Sequence, residues 1–209
     1  MYNCCIRNEE SAMRIFIRIL LILASSVWLM ACSGVSVDHA EGRQPRLTPQ
    51  GFFKGKLCAD GVVRDRSGAE IRQFNAQILA SWNADGTGTL DEVFYFYDEA
   101  GAEPKEETRV WTLQPVTTEE GLAAYLASAT DVPEPVLMTF AGNTLQMKYV
   151  LNYVRDNGDT IALNMDDRMF MVAEGVVVNE TRMTKFGLDV GQILLVMRQV
   201  PAETDCLAR

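Results

Sequence analysis

The sequence predicts an all-β domain: an antiparallel up-and-down barrel or strongly curved sheet of about nine to ten strands, behind an N-terminal leader. Three observations predict it. From Gly51 onward, short runs of alternating apolar and polar residues recur at close spacing. Turns rich in Gly, Asn and Asp separate them. Before Gly51, one uncharged apolar run, "ILLILASSVWLMA", stops abruptly at Cys32.

The leader comes first. Arg14 and Arg18 precede the apolar run, and a basic stretch, a short apolar stretch and a small residue before the cut describe a secretory signal over residues 1–31. The run is shorter than the roughly 20 residues that span a bilayer, so a permanent transmembrane helix is the second choice. Glu9 and Glu10 fall where the signal should be basic, and Met13, opening "MRIFIR", makes a better start. Leu29-Met30-Ala31-Cys32 resembles a bacterial lipobox, with Leu at −3, Ala at −1 and Cys at +1. In that class the Cys32 thiol receives a diacylglycerol and the freed amine is acylated, with palmitate-like chains. More than one chain is what stable anchoring takes, at about 0.8 kcal/mol per buried methylene. The alternative is a secreted protein cut near Ala31, with Cys32 incidental. Ser33, rather than Asp, follows the cysteine. By resemblance to Gram-negative lipoproteins, that places the protein on the outer membrane, facing the periplasm.

Removing residues 1–31 takes away Arg7, Arg14, Arg18, Glu9 and Glu10, leaving 16 Lys+Arg against 26 Asp+Glu, a net charge of −10. Such a domain has no electrostatic attraction to nucleic acid or to anionic lipid surfaces, so its expected membrane contact is the N-terminal anchor alone. Residues 32–50 lack periodicity and read as a flexible tether, with ends on the order of 25 Å apart. Residues 51–200 form the expected single domain, long enough for a core, and 201–209 a C-terminal tail. Of five cysteines, Cys4 and Cys5 go with the leader and Cys32 is the expected anchor. Cys58 and Cys206 remain, near the first and last strands, which are neighbours in a closed barrel. They are either a disulfide, as an oxidising compartment favours, or two separate thiols.

In "FNAQILASW", Phe74, Ala76, Ile78, Ala80 and Trp82 share one parity, the pattern of a half-buried strand. "GTLDEVFYFYD" and "EETRVWTLQP" flank "EAGAEP", and a hairpin centred there sets Leu90 opposite Trp111, Glu92 opposite Arg109 and Phe94 opposite Glu107. Glu92 and Arg109 then face the interior together, each supplying the partner a buried charge needs. "TTEEGLAAYLASAT" reads as a strand or as a helix with a Thr117/Glu120 capping box; hairpin context favours the strand. "LQMKYVLNYV" and "TIALNMDDRMFMV" flank a loop with Gly158, which pairs Tyr153 with Ile161, Leu151 with Leu163 and Tyr149 with Met165. The Glu174-Gly175 loop sets Phe170 opposite Val178, Arg168 opposite Glu180 and Asp166 opposite Arg182. Those charge pairs suit a solvent-facing ladder. The other face carries Asp167, Asn179, Thr181 and Lys185 among Met165, Met169, Met171, Val177 and Met183. "VGQILLVMRQV" closes the set. Consecutive hairpins of this number suggest a calycin-type barrel, able to hold one small ligand, with a Greek-key sandwich as the alternative.

The motifs "GFFKG", "DRSGAEIRQF", "GTLDEVFYFYD", "RVWTL", "NMDDRMFMVAEGVVVNET" and "MTKFGLDVGQI", in that order over residues 50–199, resemble a family of bacterial lipoproteins, domain-of-unknown-function family 3833. "DDRMF" followed by "MTKFG" is the most specific part. The family usually carries Trp where this chain has Arg168. The resemblance implies a signal sequence and a lipobox, and no activity.

Chemistry is sparse. His39 is the only histidine and lies in the expected tether, so Ser-His and Cys-His nucleophile systems have no base in the domain. Cys58 and Cys206 alone cannot build a zinc site. "DGTG" at 85–88 is better read as a hairpin turn than as a phosphate loop. No metal, no cofactor and no nucleic-acid partner is expected. Glu92, Arg109, Asp167, Asn179 and Lys185 form a candidate interior polar network. Trp82, Phe94, Trp111, Met147, Tyr149, Met165 and Met169 form a candidate apolar lining, the methionines adapting to irregular partners. The expected role is non-enzymatic: an anchored module holding a lipid or other apolar small molecule. The alternatives are an envelope assembly protein that binds another protein through its surface and, last, an enzyme using Glu92 and Asp167 as acid and base.

Overall fold

The computed structural model describes residues 36–97, 103–155 and 157–207. The leader, Cys32 and the residues between Cys32 and Ser36 lie outside them. From Val37 onward the chain forms one compact unit. A 3-10 turn (Val37–Ala40) and a single helical turn, α1 (Pro49–Phe52), precede ten strands: β1 (Gly55–Asp65), β2 (Glu70–Trp82), β3 (Gly88–Tyr97), β4 (Lys105–Thr117), β5 (Ala123–Ala129), β6 (Val136–Ala141), β7 (Thr144–Val154), β8 (Thr160–Ala173), β9 (Val176–Lys185) and β10 (Leu188–Val200). Each strand pairs antiparallel with the next, and β1 pairs with β10, closing an up-and-down barrel with no free edge.

The alternation read from the sequence becomes the inward and outward faces of this barrel. The β3–β4 hairpin pairs Leu90 with Trp111, Glu92 with Arg109 and Phe94 with Glu107. β7 and β8 pair Tyr149 with Met165, and β8 and β9 pair Arg168 with Glu180. The ambiguous stretch before Ala129 is a turn followed by strand β5, because each neighbour offers it a ladder of backbone partners.

The two ends of the barrel differ. At the end bearing turns 83–87, 118–122, 142–143 and 174–175, the interior is filled by Leu57, Leu113, Leu145 and Val177, all fully buried. Residues 37–53 cap this end, which corrects the expected tether. Leu47 and Phe52 are fully buried, and Phe53 nearly so. The reason is local. Thr48 caps α1, its Oγ1 accepting from the Gly51 N–H at 3.2 Å, and Pro49 supplies a preset first helical residue. That turn drives Phe52 and Phe53 into the barrel, ring centroids 5.1 Å apart. The Leu47 N–H donates to the Gly142 carbonyl at 2.8 Å, and Gln199 Nε2 donates to the Phe52 carbonyl at 2.7 Å. Gly142 has a positive φ of 51°, and a Cβ there would lie 1.7 Å from the Ala40 carbonyl oxygen, so only glycine lets the segment lie against the β6–β7 turn.

The tail is pinned as well. Cys58, on the outward face of β1, is disulfide-bonded to Cys206, with Cα atoms 5.2 Å apart. Trp82, at the closed end, donates its indole N–H to the Phe53 carbonyl and packs edge-on against Tyr125.

Candidate functional site

The opposite end, bearing turns 66–69, 130–135 and 186–187, is hollow. A cavity of about 470 Å³ opens there, and its rim includes the exposed side chains of Ile71 and Val190. Ten strands give a girth that side chains from one wall do not close, and nothing from the N-terminal cap reaches this half.

Its middle wall is apolar: Phe74, Phe94, Leu151, Leu163, Met183 and Ile193. Phe74 and Phe94 meet edge to face, centroids 5.9 Å apart. At the mouth, the Arg72 guanidinium stacks 3.8 Å from the Phe96 ring centroid and pairs with Glu107 at 3.2 Å, while Arg155 and Lys185 also line the opening.

The floor is polar. Glu92, Arg109, Asp131, Tyr149, Asp167 and Thr181 line it, with Trp111 and Met147 between them. β5 and β6 are short, so the loop joining them crosses the wall at mid-height and brings Asp131 level with Arg109. Arg109 Nε donates to Asp131 Oδ2 at 2.8 Å, and Nη2 lies 2.6 Å from the same oxygen. Glu92, opposite Arg109 in register, makes no side-chain hydrogen bond or ion pair among the described residues. Burial pushes its carboxyl up to about 7, Arg109 opposing and Asp167 and Asp131 adding to the rise. Asp167 Oδ1 accepts from Thr181 Oγ1 at 2.9 Å and from Asn179 Nδ2. Burial still raises its pKa over the opposing pull of those bonds. The Tyr149 phenol is pushed up by burial and by Asp167, so it stays protonated, and its ring meets Trp111 edge-on at 5.4 Å.

The structure thus brings together five of the residues expected to line a ligand: Phe94, Trp111, Met147, Tyr149 and Met169. It does not bring two. Trp82 is committed to the closed end, and Met165, although inward in parity, lines a separate recess beside Lys148 and Arg182. Lys185 is corrected too: it lies four residues beyond Thr181 on β9, at the mouth, while Asp167 takes its donors from Asn179 and Thr181. Asp131 has no expectation behind it in the sequence, because a loop residue carries no periodicity. Among the described residues, no three or more His, Cys, Asp or Glu side chains converge in a way that could hold a metal ion. Nor is any described helix long and apolar enough to cross a membrane.

A model of the family described as "Protein of unknown function (DUF3833)" matches residues 26–199. The chain belongs to the DUF3833 family. No curated protein matches it. Among solved structures, the DUF3833 barrel is similar to the S-type phycobiliprotein lyase CPES from Guillardia theta, with a TM-score of 0.52 at 11% identity, covering 76% of this chain and 96% of that one. It also aligns with Rv2717c from M. tuberculosis at 9% identity and a TM-score of 0.48, covering 76% of this chain and 99% of that one. At these identities the likeness to the lyase is one of fold: the DUF3833 domain is a calycin-like barrel of ten strands.

Proposed function

We propose that this DUF3833 protein is an outer-membrane lipoprotein whose barrel holds an apolar or amphipathic small molecule in the periplasm. The carrying observation is the half-hollow barrel: a 470 Å³ cavity with aromatic and aliphatic walls, a polar floor and one open end. The anchor reading is supported by the Leu29-Met30-Ala31-Cys32 junction and by a family match that reaches back to residue 26, inside the apolar run. Val37–Ala40 packs at the closed end, and four residues separate it from Cys32. The neighbouring fold is that of a protein named as a lyase. Glu92 and Asp167 face one cavity, as an acid–base pair must, but Asp167 is held by two donors and only Glu92 is unbonded. Binding without turnover is the reading this favours.

A second reading, a docked envelope protein, is favoured by one observation: Phe186 and Leu188, at the β9–β10 turn beside the mouth, are 90% and 71% exposed. An F186D variant that still acquires its ligand in cells would set that reading aside.

The test is native mass spectrometry on the full chain, expressed with its own leader and extracted from the outer membrane, followed by organic extraction. A mass beyond the acylated chain that extracts as a small apolar molecule at one per barrel supports the reading. A bare acylated chain that also excludes a neutral apolar dye overturns the binding reading, and a chain recovered unacylated in the soluble periplasmic fraction overturns the anchor.

A further inference from the structure

We infer that the cavity floor is a receptor for a cationic head: the ligand is an amphiphile with an organic ammonium group, which enters head first and is received by Glu92. This rests on the cavity being a binding site, and adds the charge and direction of what it binds.

Two acceptors at the floor lack donors. Glu92 is 9% exposed, faces the cavity and has no bonded partner among the described residues. Asp131 Oδ1 is shut off from solvent and accepts no hydrogen bond, although Oδ2 of the same carboxyl takes both contacts from Arg109. A buried polar atom left without a partner costs free energy, and a buried carboxylate more. An ammonium brings up to three donors and one positive charge to such a place.

The charge balance points the same way. Three carboxylates line the floor (Glu92, Asp131, Asp167), against the single guanidinium of Arg109, which Asp131 already engages. An anionic head would meet three acidic groups with the one guanidinium already engaged, in a low-dielectric pocket where like charges repel far more than in water. A divalent metal is not an alternative filler, since the carboxylates do not converge as ligands. Trp111 and Tyr149 stand beside the acids, edge to face at 5.4 Å, and Arg109 already lies over the Trp111 ring at 5.9 Å, so this floor accommodates a cation against an aromatic face. Above the floor the wall turns apolar at Phe94, Leu151 and Ile193, the surface an alkyl or aryl body needs once its head is seated. Among the described residues that line the cavity, Arg155 and Lys185 bring their positive charge at the mouth, away from the floor. An anionic amphiphile would therefore bind reversed, with its tail against Glu92 and Asp167.

The experiment uses the full chain in detergent below its critical concentration, loaded with the neutral apolar dye N-phenyl-1-naphthylamine at pH 8. Dodecylamine, dodecanol and dodecanoate are then compared as displacers. The expected order puts dodecylamine about tenfold ahead of dodecanol, the gain of one charge-assisted contact, with dodecanoate weakest. Glu92→Gln should bring dodecylamine down to dodecanol's level, both read as displacement of the dye that the variant itself takes up. Dodecanoate matching or beating dodecylamine in the unaltered chain overturns the inference, as does an unchanged preference in E92Q. A dye that never enters, with none of the three binding, overturns the binding reading itself.

Discussion

Arg109 stands opposite Glu92 in the β3–β4 register, yet its guanidinium pairs with Asp131, 22 residues along the chain, at 2.6 Å. Ladder position brings two side chains to one level; it does not oblige them to bond. The loop acid has the better approach to Nε and Nη2, and Glu92 is left facing the cavity.

That vacancy makes stability depend on pH through Glu92. An acid whose folded pKa of about 7 exceeds its ordinary 4.5 holds its proton more tightly in the folded state, so stability falls as pH rises from about 4.5 through 7. The raised Asp167 acts in the same direction. Glu92→Gln cannot ionise, and should gain about 3 kcal/mol relative to the unaltered chain between pH 4 and pH 8. Urea denaturation at the two pH values measures it; a gap that stays constant would show that Glu92 is not the titrating group.

Arg109→Met should destabilise by about 2 kcal/mol, because Asp131 loses both donors in a place only partly open to water. Adding Asp131→Asn should return part of that loss. Equal, additive losses in a double-mutant cycle would deny the pair its coupling.

The N-terminal cap is tested at Gly142. Gly142→Ala puts a methyl 1.7 Å from the Ala40 carbonyl oxygen and forces a positive φ. Loss of several kcal/mol is expected. Protease cleavage between residues 37 and 53 should rise in parallel. Leu47→Ala, which leaves the backbone alone, should cost about 2–5 kcal/mol by the cavity it opens.

The disulfide joins residues 148 apart in sequence, and Cys206→Ser should lower stability by about 2–5 kcal/mol. The unaltered chain under reducing conditions should match the variant in thermal melts, while the variant itself should be indifferent to reductant.

At the β9–β10 turn, Phe186 has a φ of 52° and Gly187 one of 77°, a two-residue turn of the kind that Asn-Gly fills without strain. Phe186→Asn should raise stability by about 1 kcal/mol, less the weak contact of Lys185 Nζ with the ring at 5.4 Å. A melting temperature that does not rise would mean the exposed aromatic is better accommodated than its backbone angle implies.

Alternation in the sequence already marks most of the strands, the partners within the hairpins centred on short loops and the side chains that look inward, with residues 118–129 left open between strand and helix. Period-two alternation and the short Gly-bearing loops leave one register open at hairpins such as Leu90–Trp111 and Tyr149–Met165. It also reduced the domain's thiols to one pair. Height along the barrel axis was a different matter. Inward parity looks the same at a filled end and at a hollow one, so Trp82 and Phe94 were indistinguishable until the fold put one beside the Phe53 carbonyl and the other on the cavity wall. The cap over residues 37–53 has no periodicity, because it is held by contacts with turns far away in sequence, such as Leu47 with Gly142. Asp131 is a loop residue whose partner is chosen by where a short strand happens to end. These features depend on distances between segments, which local pattern does not encode and the folded barrel sets.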